Sequence, residues 1–162
     1  MVVGKIIYFQ ADFDPEGSLA ASYITQCSDI GLVGGLLGMD PTDNRLTRAL
    51  EIAEADGMEI VFRVIPYENN HPNTYKMTVK TDLGEELDVT ALSVGGGMIE
   101  ITEINHFAVE VTGGFYETLL FGESLTLSET DLEDKIRQIL LSCRQGTRLV
   151  KRCCISRLNR RF

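Results

Sequence analysis

The stretch Ser93-Val94-Gly95-Gly96-Gly97-Met98-Ile99-Glu100-Ile101 decides how this chain is read. Three consecutive glycines precede a β-prone run. Glycine takes positive φ without a steric cost, so such a triplet turns the chain sharply. Two readings follow. One is a flexible hairpin turn. The other is a concave nest, in which the backbone N–H groups of Gly95, Gly96 and Gly97, with Ser93, converge on an anion such as a carboxylate or phosphate.

Strand signals extend on both sides of it. Tyr75–Thr81 and Glu85–Leu92 read as strands joined through Asp82-Leu83-Gly84, a hairpin signal. Met98–Glu103, Phe107–Val111 and Tyr116–Phe121 continue the sheet, with turns at Asn105-His106 and Gly113-Gly114. Upstream, Gly4–Gln10 and Met58–Ile65 are β-prone, and Asp12–Gly17 reads as a turn. That turn has the acid spacing of half a calcium loop, but Tyr23 stands where a bidentate Glu belongs. Ser18–Gln26 begins like a helix with Ser18 as its cap. Gly31, Gly35 and Gly38 then fall on one helical face, which predicts a close approach to a neighbouring element. Asn44–Asp56 is amphipathic, with Gly57 as its stop. Leu132–Cys143 reads as a closing helix. This order predicts an α+β fold, a mostly antiparallel sheet with helices packed on it.

The net charge of −9 is uneven. From Arg144 onward there are seven basic residues and no acids, while the first 143 residues hold 8 basic against 24 acidic residues. Such a body repels phosphate, so nucleic acid is not the expected partner, and the basic tail, 144–162, is expected to be disordered. No run reaches the roughly 18 apolar residues of a membrane span, and the N-terminus has no signal-peptide pattern, so a cytoplasmic setting is expected. Cys27, Cys143, Cys153 and Cys154 have neither zinc nor iron–sulfur spacing, which predicts reduced thiols and no cofactor bound by this chain.

No phosphate-loop or dinucleotide fingerprint occurs, and two histidines do not make a Ser–His–Asp triad. His106 is expected at the surface of a turn. His71 precedes Pro72, which biases its backbone toward extended geometry. With Asn73 and Thr74 it forms a polar loop before a strand, an ordinary connection or a hydrogen-bonding site for a small ligand.

Taken together, Gly-Leu-Val-Gly-Gly-Leu-Leu-Gly-Met-Asp-Pro (31–41), His-Pro-Asn-Thr (71–74), Ser-Val-Gly-Gly-Gly-Met-Ile-Glu-Ile (93–101) and Thr-Leu-Leu (118–120) resemble the β chain of the iron–sulfur-dependent L-serine dehydratases. Order and spacing both fit, over about residues 5–121. The resemblance implies an allosteric-substrate-binding fold. It also implies a lyase that converts L-serine to pyruvate and ammonia, its four-iron four-sulfur cluster held by an α-type catalytic subunit. Ser93 and Gly95–Gly97 would receive a carboxylate or phosphate or shape the partner interface. Asn73 and Thr74 would bind the same ligand or hold their loop, and Asp29 would orient its neighbouring loop. Self-association is a further expectation.

Three departures accompany the match. The family's opening Gly-Pro-Ser-Ser-Ser-His-Thr segment has no counterpart, so an N-terminal βα portion is expected to be missing. The family's Tyr-Lys-Gly-His-Gly-Thr-Asp run is represented by Tyr23…Gln26-Cys27-Ser28-Asp29, with Gln26 in place of histidine. Gln is neither acid nor base near neutral pH, whereas His is both. After Phe121 a helix region (122–143) and the basic tail stand where a regulatory domain is usual. The chain is therefore expected to need a partner for catalysis, or to be a non-catalytic small-molecule-binding or interaction module of the same fold.

Overall fold

A computed structural model describes residues 4–114, together with Phe121–Gly122, Asp134 and Ser156–Arg157. The chain divides into two compact units, Met1–Glu110 and Val111–Phe162. In the second, Phe121–Gly122 and Ser156–Arg157 pair in parallel, Phe121 opposite Ser156. The expected strand 116–121, helix 132–143 and basic tail otherwise lie outside the described residues, as do Cys143, Cys153 and Cys154.

The first unit is built on six strands: β1 Ile6–Phe13, β2 Glu59–Val64, β3 Thr74–Thr81, β4 Glu86–Gly95, β5 Met98–Ile104 and β6 Phe107–Val111. They lie in the order β2-β1-β3-β4-β5-β6. β1 runs parallel to β2 and antiparallel to β3, and β3, β4 and β5 follow as antiparallel neighbours. The sheet is thus mostly antiparallel and the class α+β, as the sequence predicts. The parallel pair requires a crossover. Helices α1 (Ser18–Ser22), α2 (Ser28–Leu36) and α3 (Ala49–Ala55) supply it.

Period-2 alternation divides β1 into two faces. Phe9, Ala11 and Phe13 are buried with Leu19, Val33, Ala49 and Ala53 of the helices and Val79 of β3. Phe13 stacks on Tyr23 at 4.5 Å and meets Tyr75 edge-on at 5.8 Å. Burying such a ring contributes about 2–3 kcal/mol. The other face carries Tyr8, Gln10 and Asp12. Tyr8 Oη donates to Gln10 Oε1 (2.6 Å), Gln10 Nε2 donates to Asp12 Oδ2 (3.1 Å), and Arg63 grips both Asp12 oxygens at 2.7 Å.

Several boundaries differ from expectation. β1 continues through Asp12 and Phe13, which read as a turn, because Arg63 neutralises Asp12 and the core takes Phe13. This also removes the calcium-loop pattern. The first helix stops at Ser22, and Cys27 takes the left-handed conformation at φ 60°. Its cap is Gly17, with no side-chain bond, rather than Ser18. The helix expected over Asn44–Asp56 is a 3-10 turn (Leu46–Arg48) followed by α3, and Gly57 ends it at φ 86°.

The glycine-face expectation is corrected too. Gly31 and Gly35 face open space, as does Gly38 beyond the helix end; the residue in close contact is Gly34, where a Cβ would collide with Leu46 Cδ1. The helix therefore turns its Val33–Gly34 side inward. Gly34→Val should cost about 2–3 kcal/mol through overpacking. Gly35→Ala should be neutral or stabilising by up to about 1 kcal/mol. Paired urea-unfolding midpoints check both.

Candidate functional site

The segments singled out in the sequence meet at one end of the sheet. β1 and β2 finish there, β3 begins there at Thr74, and β4 arrives with Ser93. Between β2 and β3 a loop crosses the strand ends, and between β1 and α1 the Asp14–Gly17 turn does the same.

Asn73 links three of these segments. Its backbone C=O accepts from Ser93 N–H at 2.9 Å, and its Nδ2 donates to Ser93 C=O at 3.5 Å. Its Oδ1 accepts from Ser18 Oγ. Ser18 N–H in turn donates to Pro72 C=O at 3.0 Å. A Cβ on Gly17 would lie 2.7 Å from Pro72 O, so glycine permits this approach. Asn73 N–H donates to His71 Nδ1 at 3.1 Å, which leaves the imidazole proton on Nε2. Thr74 Oγ1 donates to His71 C=O at 2.6 Å. Of the two roles expected for Asn73 and Thr74, their visible bonds hold the loop.

Tyr67 closes the loop from below. Its hydroxyl lies 2.8 Å from Thr74 C=O and 3.2 Å from Asp12 C=O, and Lys76 Nζ sits 4.5 Å from its ring centroid. Burial pushes the Tyr67 phenol above its ordinary value.

Beside this network lies an open cleft of about 410 Å³, lined among others by Asp14, Glu16, Glu68, Asn69 and His71. Asn69 Nδ2 donates to Asp14 Oδ2. The lining holds three carboxylates and neither Lys nor Arg. Its field repels anions and favours amines and amides.

The triple glycine stands apart from the cleft. Gly95, Gly96 and Gly97 have φ of 93°, 61° and 77°, and Gly95 pairs with Met98 across a two-residue turn. Two positive φ values at the central residues are those of a type I′ hairpin, so the backbone takes the hairpin reading. A one-residue register shift between Ser93 and Gly95 precedes the turn. All three glycines are exposed with open space at their Cβ positions. Val94, Met98 and Ile99 beside them are also exposed, at 49%, 55% and 57%.

The segment carrying Gln26 reaches the same end of the sheet. Gln26 Nε2 donates to Ser28 Oγ at 3.1 Å, and Ser28 Oγ lies 3.1 Å from Tyr75 Oη, one residue beyond Thr74. Asp29 follows in the first turn of α2, but its Oδ1 is buried with no hydrogen-bond partner among the described residues. The bonds that hold its loop come from Ser28. His106 occupies the β5–β6 turn at φ 65°, largely exposed. Asn105 supports that turn by accepting from Asp88 N–H at 2.8 Å.

A metal or cluster finds no ligand set among the described residues. Cys27 is exposed and is the one cysteine there, and no three His, Cys, Asp or Glu side chains converge. No helix among them is long and apolar enough to cross a membrane.

The chain is 45% identical over 97 residues to the probable L-serine dehydratase beta chain of Bacillus subtilis, covering 60% of this chain and 44% of the relative. It is 36% identical over 114 residues to the L-serine dehydratase beta chain of Peptoniphilus asaccharolyticus, covering 70% and 51%. This chain is similar to L-serine dehydratase beta chains. It spans about half the length of the curated relatives it matches. No family model matches it.

Within this L-serine dehydratase-like unit, Ser18 and Tyr67 were not singled out as site residues from the sequence. Ser18 lies in the Gly17-Ser18-Leu19-Ala20 run that carries part of the resemblance, which was the available signal. Tyr67 had none, because its partners are backbone carbonyls of two strands. Tyr67→Phe should destabilise the unit by about 1 kcal/mol, read from unfolding midpoints. A raised phenol pKa means that the folded state prefers the neutral ring. Its contribution is complete below about pH 10 and is lost as pH rises through the folded value. Ultraviolet titration of wild type against Tyr67→Phe should therefore show the missing phenol as one that ionises above about pH 10.

Proposed function

We infer that the chain is the β-type part of an L-serine dehydratase, converting L-serine to pyruvate and ammonia together with an α-type catalytic subunit in the cytoplasm. The observation that carries this reading is the 45% identity to a probable L-serine dehydratase beta chain. The α-type subunit's cysteines would hold the four-iron four-sulfur cluster, whose Lewis acidity labilises the serine hydroxyl.

This chain's own residues shape the surface on which that partner and the substrate meet. The exposed Gly95–Gly97 hairpin receives a carboxylate or phosphate at its turn, and Ser93, whose N–H is given to Asn73 C=O, holds the hairpin's root. Asn73 fixes that hairpin's root to Ser18, and Thr74 fixes His71. Asp29, in the first turn of α2, orients the neighbouring loop, its Oδ1 turned inward rather than toward a ligand.

Co-expression with an α-type subunit should yield a co-purifying complex that forms pyruvate from L-serine under anaerobic conditions. Asn73→Ala should lower that rate at least tenfold by releasing the hairpin root. Absence of both co-purification and rate enhancement would overturn the reading.

One observation favours a second reading, a non-catalytic binding module: Gln26 stands where the family has histidine, and its amide cannot carry a proton. On that reading L-serine, other small carboxylates or phosphate raise the melting temperature of the chain alone. Gly96→Val, strained at φ 61°, abolishes the shift. Unchanged melting across the panel counts against it.

A further inference from the structure

β2 is an edge strand. Ile65 N–H donates to Phe13 C=O, so by the two-residue period the backbone groups of Glu59, Val61 and Arg63 also face β1. Those of Ile60, Phe62 and Val64 then point outward, and among the described residues no strand pairs with them. Unpaired edges of this kind are templates for another strand.

The charges along the edge are symmetric about Val61. Glu59 lies two residues before it and Arg63 two residues after, both on the face opposite the helices. Glu59 is exposed, and no side chain among the described residues pairs with its carboxylate. Arg63 donates through Nε and Nη2 to Asp12, which leaves Nη1 without a partner among the described residues.

We propose that two copies of this chain associate through antiparallel pairing of their β2 strands, on a two-fold axis at Val61. In this register Ile60 and Phe62 of opposite copies exchange backbone hydrogen bonds. Glu59 of each copy faces Arg63 of the other, at a non-hydrogen-bonded position where side chains lie closest. The two Val61 residues face each other across the axis. Neighbouring registers lose this match. An axis at Ile60 sets Glu59 against Val61, and an axis at Phe62 sets Arg63 against Val61 and Glu59 against Ile65. The antiparallel arrangement is self-complementary and closes as a dimer, whereas a head-to-tail contact would not.

Sedimentation velocity of the full chain over a range of concentrations should show a monomer–dimer equilibrium. Glu59→Arg places like charges opposite each other twice, and should weaken association about tenfold or more. Val61→Cys should form a disulfide-linked dimer under mild oxidation, because facing residues at such positions have Cα atoms about 4.5 Å apart. Val64→Cys should not. A chain that stays monomeric throughout overturns the proposal. So does a dimer indifferent to Glu59→Arg, or cross-linking through Val64→Cys in preference to Val61→Cys. Should Glu59→Arg fail to fold, the cysteine pair still decides.

Discussion

The structure depends on the burial of one face of β1. Phe9, Ala11 and Phe13 lie between a parallel neighbour on one side and an antiparallel neighbour on the other, with three helices laid over them. The parallel neighbour forces a crossover, and that crossover contains every helix of the first unit. Phe13 matters most among the three because it stands at the strand's end. There it anchors Tyr23 and Tyr75, the side chains from which the segment around Gln26 and the start of β3 hang. Removing its ring would leave a cavity of the kind that costs about 3–5 kcal/mol and would loosen the surface above it.

Two kinds of chemistry occupy the end of the sheet and meet at His71. One is a set of neutral hydrogen bonds joining Ser18, His71, Asn73, Thr74 and Ser93, which fixes loops against strands. The other is a cleft whose charged groups are carboxylates. The glycine hairpin belongs to neither, and projects with apolar Val94, Met98 and Ile99 at its flanks. A partner surface that covers it would bury those side chains while gaining access to backbone N–H groups. The carboxylates of Asp14, Glu16 and Glu68 set the cleft against an anionic ligand.

Most strands were legible because alternation and turn residues agree locally: Asp82-Leu83-Gly84, Asn105-His106 and the triple glycine all mark hairpins. The glycine spacing of 31–38 indicated a small face but not its direction, which depends on where Leu46 lies. Asp12 looked like a turn residue because its neutralising partner, Arg63, is 51 positions away. For the candidate site, the segments 71–74 and 93–97 were legible as motifs. Their attachment to Ser18 was not, since a hydroxyl at a helix start is locally indistinguishable from a cap. Asp29 was legible only as a position in a run; the isolation of its Oδ1 is a property of the packed helix.

The placement of these segments at strand ends separates durability from chemistry. Gln26 is exposed, and its one visible side-chain hydrogen bond goes to its near neighbour Ser28. Nothing in the core senses which side chain stands there. The position can therefore hold a side chain with or without an ionisable group at little cost to the scaffold. In such an architecture, persistence of the fold carries little information about persistence of the reaction.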